Sequence, residues 1–175
     1  FARRGVNGPH LCYMGHTDVV PAGRDSDWTS PPFEPVIRDG KVFGRGVADM
    51  KGGNAAFVAA VSRFLKEKTN VQGSISLLLT GDEEAASING SAKVIAWMKE
   101  NGALPDVALV GEPSNASNMG ETVRVGRRGS LNGHLVVTGV QGHSAYPERA
   151  DNPIPHMVRY LNTLIGTEFD KGTDD

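Results

Sequence analysis

The chain reads as an α/β protein, and three observations lead there. Short apolar runs alternate with stretches of helical periodicity, in the order strand, helix, strand, helix, strand. The runs end at glycines followed closely by charged or ligating side chains, at Gly15-His16, Gly81-Asp82-Glu83-Glu84 and Gly111-Glu112. Open α/β sheets bind ligands beyond the carboxyl ends of their strands, so these residues fall where a site is expected. At 175 residues and 39% hydrophobic content the chain can bury a core, and fits one domain, or one domain and part of another.

The elements follow in order. Leu11 to Gly15 reads as a buried strand, and the loop after it is long and rich in proline and aspartate. Trp28 and Phe33 are expected to anchor that loop by packing onto the core. Lys41-Val42-Phe43 is a short strand ending at Gly44-Arg45-Gly46, and Asp49 comes next. Ala55, Val58, Ala59, Ser62 and Leu65 then recur at the spacing of an amphipathic helix. Ser74 to Thr80 is a second buried strand. A helix from about Ser91 to Glu100, with Val94, Ile95, Trp97 and Met98 as its apolar content, closes at Asn101-Gly102. Asp106 to Val110 is a third buried strand. After about Arg124 the pattern changes: Leu131, Gly133, Leu135 and Val137 alternate with Asn132, His134, Val136 and Thr138, a strand with one solvated or partner-facing side. Ile154, Met157, Val158, Leu161, Leu164 and Ile165 form a helical stripe with Pro153 and Pro155 in its first turn, where proline is tolerated. Two domains are therefore expected, over residues 1–124 and 125–175.

Composition narrows the partners. Eighteen basic and twenty acidic residues give a formal charge of -2, so nothing marks nucleic acid or an anionic membrane as a partner, and a small molecule is the default. No apolar run approaches the roughly 20 residues of a membrane span. The lone Cys12 allows no intramolecular disulfide, which is compatible with a reducing cytosol, and it reads as an inert buried thiol. The chain opens at Phe1 and runs out in polar residues after Gly166, so it is expected to be a piece of something larger.

The chemistry lies in a constellation. His16 and Asp18 share a face of an extended segment, so the carboxylate can orient the imidazole as a metal-bound histidine usually requires. An isolated acid at a strand end is ordinarily a cap or a solvated charge. Here one histidine is answered by Asp49, Glu83-Glu84 and Glu112 on loops that converge on one sheet edge. A mixed His and carboxylate shell suits zinc, manganese or cobalt, and with several carboxylates two ions about 3.5 to 4 Å apart become possible. Adjacent side chains point apart, so one of Glu83 and Glu84 can face a metal while the other holds a water as general base. The residues alone leave open which does which.

The motifs Gly-His16-Thr-Asp18-Val-Val-Pro, Gly-Arg-Gly-Val-Ala-Asp49-Met-Lys-Gly-Gly, Gly-Asp-Glu83-Glu84 and Gly-Glu112-Pro-Ser resemble the binuclear zinc metallopeptidase family of aminoacylases, carboxypeptidase G and acetylornithine deacetylase. The order and spacing match over almost the whole chain. Val125-Gly126-Arg127-Arg128-Gly129-Ser130 and Gln141-Gly142-His143-Ser144-Ala145-Tyr146-Pro147 look closest to the branch acting on N-succinyl amino acids. The resemblance implies a zinc-exopeptidase-like catalytic domain with a mixed, mostly parallel sheet, followed by the start of an α+β lid and dimerisation domain. It implies two zinc ions per subunit, with cobalt a possible substitute, and a cytoplasmic homodimer hydrolysing the amide of a small N-acyl amino acid. His16 and Glu112 would hold one metal, Asp49 would bridge, and Glu84 would bind the second with a distant histidine. Glu83 would be the general base, Asp18 the orienter of His16, and the peptide after Asp49 would be cis. His143 would reach a partner's active site to stabilise the oxyanion. Arg127, Arg128, Ser130 and Tyr146 fall in motifs that resemble substrate-carboxylate contacts.

Read from the residues, Arg127-Arg128 suits a substrate with several carboxylates, because guanidinium pairs with them bidentately. A solvated basic turn is the ordinary alternative, as a capping or surface histidine is for His143. His10, His134 and His156 read as structural or solvent-facing. The resembling enzymes are about twice as long, and the distal metal-binding histidine lies in the part not represented. The expectation is therefore a chain that binds one metal better than two and turns over little substrate alone. Two other functions compete: a deacylase or carboxypeptidase for another N-acyl amino acid, and a non-catalytic metal-binding or assembly module. An intact Glu83 argues against the second.

Overall fold

The computed structural model describes residues 1–68, 71–126, 129 and 131–169. In chain order the elements are β1 (Ala2–Arg4), β2 (His10–His16), β3 (Val36–Arg38), β4 (Lys41–Phe43), α1 (Gly52–Glu67), β5 (Ser74–Thr80), α2 (Ser91–Glu100), β6 (Val107–Val110) and α3 (Pro153–Ile165). Chain contacts divide it into a first unit, Phe1–Val125, and a second beginning at Gly126.

In the first unit the sheet order is β1-β5-β2-β6. β2 runs parallel to both β5 and β6, while β1 is antiparallel to β5, so the sheet is mixed and mostly parallel as expected. Register sets the position of the site. His16 lies opposite Thr80 and Met14 opposite Val110, so β2, β5 and β6 end along one edge. Thr17 extends the ladder one residue further, donating its N–H to the Thr80 carbonyl at 2.9 Å.

Alternation along β2 sends side chains to both faces. Cys12, wholly buried, packs with Leu78, Met98 and Ala103, and Met14 and Val94 close this cluster against α2. Tyr13 points the other way and stacks on Phe57 of α1, with ring centroids 4.3 Å apart. Helices therefore cover both faces of the central strand. Burying a side chain such as Leu78, with 0% exposure, contributes roughly 1.5–3 kcal/mol. The end of α2 is closed by Gly102 at φ +61°, and Ala103 donates its N–H to the Met98 carbonyl at 2.8 Å.

Several expectations are corrected. Phe33 is 67% exposed and does not pack on the core. Of the two expected anchors it is Trp28 that is held: its Nε1–H donates to the Ala22 carbonyl at 2.8 Å and its ring lies under the Arg45 guanidinium. β1 and β3, three residues each and carrying charged Arg3, Arg4 and Arg38, show no apolar run in the sequence.

In the second unit, residues 131–138 form no ladder among the described residues. A strand exists only against a partner edge, and here the apolar side chains stay exposed, Leu131 at 98%. The paired backbone is a single antiparallel bridge between Val140 and Asp151. It closes a loop that holds a turn at His143 to Tyr146 and a 3-10 turn at Pro147–Arg149. α3 then begins with Asn152 as its cap, accepting the Ile154 N–H at 3.0 Å, and Pro153 at its first position. Among the described residues no helix is long and apolar enough to cross a membrane.

Candidate metal centre

His16 is the last residue of β2 and only 1% exposed. Its Nδ1–H donates to the main-chain carbonyl of Asp18 at 2.9 Å, which turns Nε2 toward three carboxylates. Asp49 Oδ1 lies at 2.9 Å, Glu112 Oε1 at 3.7 Å and Glu83 Oε2 at 4.0 Å. Burial disfavours the imidazolium, but the Asp18 carbonyl, Asp49, Glu112 and Glu83 outweigh it, and the His16 pKa is raised above its usual 6.5.

Asp18 is doubly engaged. One carboxylate oxygen, Oδ1, is buried without a hydrogen-bond partner among the described residues and lies 3.5 Å from His16 Nδ1. The other, Oδ2, accepts the main-chain N–H groups of Glu83 at 2.9 Å and Glu84 at 3.0 Å. Burial alone would raise the Asp18 pKa; the N–H groups of Glu84 and Glu83 and the facing His16 bring it below the usual value. The carboxylate thus ties the β2 end to the acidic turn after β5, while the Asp18 main chain makes the shorter contact to the imidazole.

The acids arrive on separate segments. Gly46, at φ +77°, leads into the turn Val47–Lys51, where the Asp49–Met50 peptide is cis and the Met50 side chain is wholly buried. Lys51 Nζ donates to the Thr17 carbonyl at 2.6 Å, fixing this turn to the strand that carries His16. The Glu83-Glu84 turn is braced by Asp82, which accepts the N–H groups of Asn89 at 2.7 Å and Ser87 at 3.2 Å. Glu112 sits two residues beyond β6.

These side chains form two overlapping groups, His16 with Glu83 and Glu112, and His16 with Asp49 and Glu84, each with ligand atoms within 4.8 Å of one another. Glu83 and Glu84 fall in different groups, as adjacent residues that point apart require. An imidazole nitrogen facing several carboxylates is a donor set that fits a divalent cation of the zinc, manganese or cobalt type.

In the second unit His143 is exposed, and its Nδ1 accepts the Ala145 N–H at 3.1 Å, so Nε2 carries the proton and is a donor. Tyr146 lies beside it, ring centroids 5.8 Å apart, with Arg149 over the tyrosine ring. Arg127, Arg128 and Ser130 lie outside the described residues. His10 is structural, bonded to Ser76 Oγ at 2.7 Å, and His156 pairs with Asp151. Tyr13 and Asn54, both buried beneath the centre, escaped sequence reasoning. An asparagine just after the Gly52-Gly53 pair that opens α1 is the signal that could have marked the second.

The chain is 53% identical over 174 residues to a succinyl-diaminopimelate desuccinylase from Gluconacetobacter diazotrophicus, covering 99% of this chain and 45% of that protein. The chain therefore spans under half the length of this curated relative. In structure it is similar to an M20 family metallo-carboxypeptidase from Sulfolobus solfataricus, with a TM-score of 0.54 and 26% identity over 63% of this chain and 25% of that one. Human carnosine dipeptidase 1 is similar too, with a TM-score of 0.55 and 30% identity over 62% of this chain and 24% of that one. The profile of peptidase family M20/M25/M40 matches residues 12–171, a stretch that includes His16, both acidic turns and His143, and the chain belongs to that family.

Proposed function

We propose that this chain is the metal-binding part of an amide hydrolase that removes succinate from N-succinyl-LL-2,6-diaminopimelate, a step in diaminopimelate and lysine biosynthesis. The observation that carries this reading is the 53% identity to a desuccinylase across 174 residues, against 26% and 30% to the carboxypeptidase and the dipeptidase. A deacylase or carboxypeptidase for another N-acyl amino acid is the second reading, and 26% identity to the Sulfolobus carboxypeptidase against 53% to the desuccinylase disfavours the carboxypeptidase.

His16, Asp49 and Glu112 would hold one zinc ion, and Asp49 with Glu84 would share a second with a histidine that the resemblance puts outside these 175 residues. Bound zinc polarises an amide carbonyl and lowers the pKa of water to about 7. Glu83 takes the proton of the attacking water and returns it to the leaving amine; its Oε2, 4.0 Å from His16 Nε2, supports that role. Asp18 holds His16 and the Glu83-Glu84 turn in mutual register. His143 would donate from Nε2 to the developing oxyanion in a partner subunit, and Arg127, Arg128, Ser130 and Tyr146 would bind the substrate carboxylates. A homodimer through the second unit, and a cytoplasmic location suited to amino-acid biosynthesis, belong to the same reading. Cobalt would substitute for zinc.

The test is a chimera in which this chain replaces the matching 45% of the Gluconacetobacter protein. The expected result is zinc-dependent release of succinate from N-succinyl-diaminopimelate, faster than release of acetate from N-acetylornithine. A folded, zinc-loaded chimera that prefers N-acetylornithine would overturn the substrate assignment.

A further inference from the structure

Beneath the metal centre lies a buried polar pair that the proposed chemistry does not use. Asn54, in the first turn of α1 and 8% exposed, donates from Nδ2 to the main-chain carbonyl of His16 at 2.7 Å. Tyr13, 3% exposed and three residues before His16, donates its hydroxyl to Asn54 Oδ1 at 3.1 Å. The donors and acceptors close without ambiguity. A carbonyl can only accept, so the His16 oxygen requires the amide NH2, which leaves Oδ1 to take the phenol proton.

The pair touches all three segments that bring ligands to the first metal. It holds the His16 carbonyl directly. It is anchored on α1, which begins right after the turn bearing Asp49. It also fills the space beside Gly111, the residue before Glu112: a Cβ at Gly111 would overlap the Tyr13 hydroxyl, and one at Gly53 would come within 2.9 Å of the Gly111 carbonyl and 3.1 Å of that hydroxyl. Gly15 is constrained likewise, because a Cβ there would overlap Asn54 Oδ1 and the end of Met50. Three glycines thus let three backbone segments close around one phenol and one amide.

We infer that Asn54 and Tyr13 are positioning residues, a buried clamp that sets the spacing of His16, Asp49 and Glu112 and thereby the affinity and geometry of the metal centre. This inference rests on the proposed metal site. Polar groups of this kind are costly to bury unless fully paired, so removing one member leaves its partner unsatisfied and free to move. A backbone shift of a few tenths of an ångström at His16 O is carried directly to its imidazole.

The test uses the full 175-residue chain, wild type and two variants, Asn54→Ala and Tyr13→Phe, titrated with Co2+ while the visible d–d spectrum is followed. Thermal unfolding of each metal-free protein is measured alongside. Tyr13→Phe keeps the ring that stacks on Phe57 and removes the hydroxyl alone, so it covers the case in which Asn54→Ala fails to fold. The expected result is Co2+ affinity about 10- to 100-fold weaker, the range for residues that support metal ligands, with a shifted or weakened d–d band in Tyr13→Phe and a loss of affinity larger than its fall in metal-free stability. Affinity and spectrum unchanged in both variants, with wild type binding Co2+, would overturn the clamp and leave the metal centre standing. Affinity that falls only in step with metal-free stability, the spectrum unchanged, would also overturn it, because packing alone would account for the loss. A wild-type chain that binds no Co2+ would remove the metal centre and the clamp together.

Discussion

The two units hold their chemistry in different ways. In the first, His16 is nearly inaccessible at the end of a strand paired on both sides, and Asp18, Lys51 and Asn54 tie it to three neighbouring segments. In the second, His143 sits exposed in a loop closed by one bridge, and the Ala145 N–H fixes its tautomer. On the proposed reading, the difference teaches that a ligand for an ion is built into the sheet, where backbone geometry is over-determined, whereas a group that meets a passing charge needs only the right proton on the right nitrogen. Changes to the metal ligands and their supports in the first unit should therefore move metal affinity, and changes in the second should move turnover alone.

The largest effect expected is on proton transfer. In the chimera, Glu83→Gln should lower turnover by about 10²- to 10⁴-fold while zinc still binds, as calorimetry would show; turnover that survives would remove Glu83 as the base. His143→Ala should cost about 10²- to 10³-fold in turnover, with zinc affinity within about twofold of wild type. A loss of zinc affinity in that variant would break the division between the two units. Asp18→Ala should weaken zinc binding about 10- to 100-fold, since it frees the Glu83-Glu84 turn as well as the imidazole. Affinity equal to wild type would mean that the Asp18 main-chain carbonyl suffices.

The smallest effect is set by pH. Protons compete with zinc for His16, whose pKa is raised, so zinc affinity should fall about tenfold per unit as pH drops below that raised value. In the metal-free chain the sign is opposite. A folded pKa above the unfolded 6.5 gives stability that is fully present below 6.5 and lost as pH rises through the folded value. Melting temperatures of the metal-free protein at a series of pH values would show this, and a rise in stability across that window would contradict it.

Much of this was legible in the sequence, and the rest was hidden for physical reasons. The strands ending at His16, Thr80 and Val110 and the helices opening at Gly52, Ser91 and Pro153 are long or periodic enough to announce themselves. The convergence of His16, Glu83, Glu84 and Glu112 follows from parallel strands ending on one edge, and Asp49 joins them from the turn before α1. The second attachment of Asp18 was not legible, because it joins a turn 65 residues away through main-chain N–H groups that carry no residue identity. Tyr13 and Asn54 escaped because their bond joins side chains 41 residues apart, and the period of a strand or a helix shows a face and not a partner. Of the two aromatics expected to anchor the loop by packing, Phe33 stays exposed, and Trp28 is held through its indole N–H. Residues 131–138 have the alternation of a strand, but alternation describes a face, and pairing depends on an edge that must be supplied.

The most direct test of the metal centre is a calorimetric zinc titration of the 175-residue chain beside its His16→Ala variant. The expected result is one ion bound more tightly than any second in the wild type, and affinity at least about 100-fold weaker in the variant, since supporting residues alone cost 10- to 100-fold. Two equally tight ions in the wild type would contradict the one-metal expectation, and zinc binding that His16→Ala leaves unchanged would contradict the centre itself.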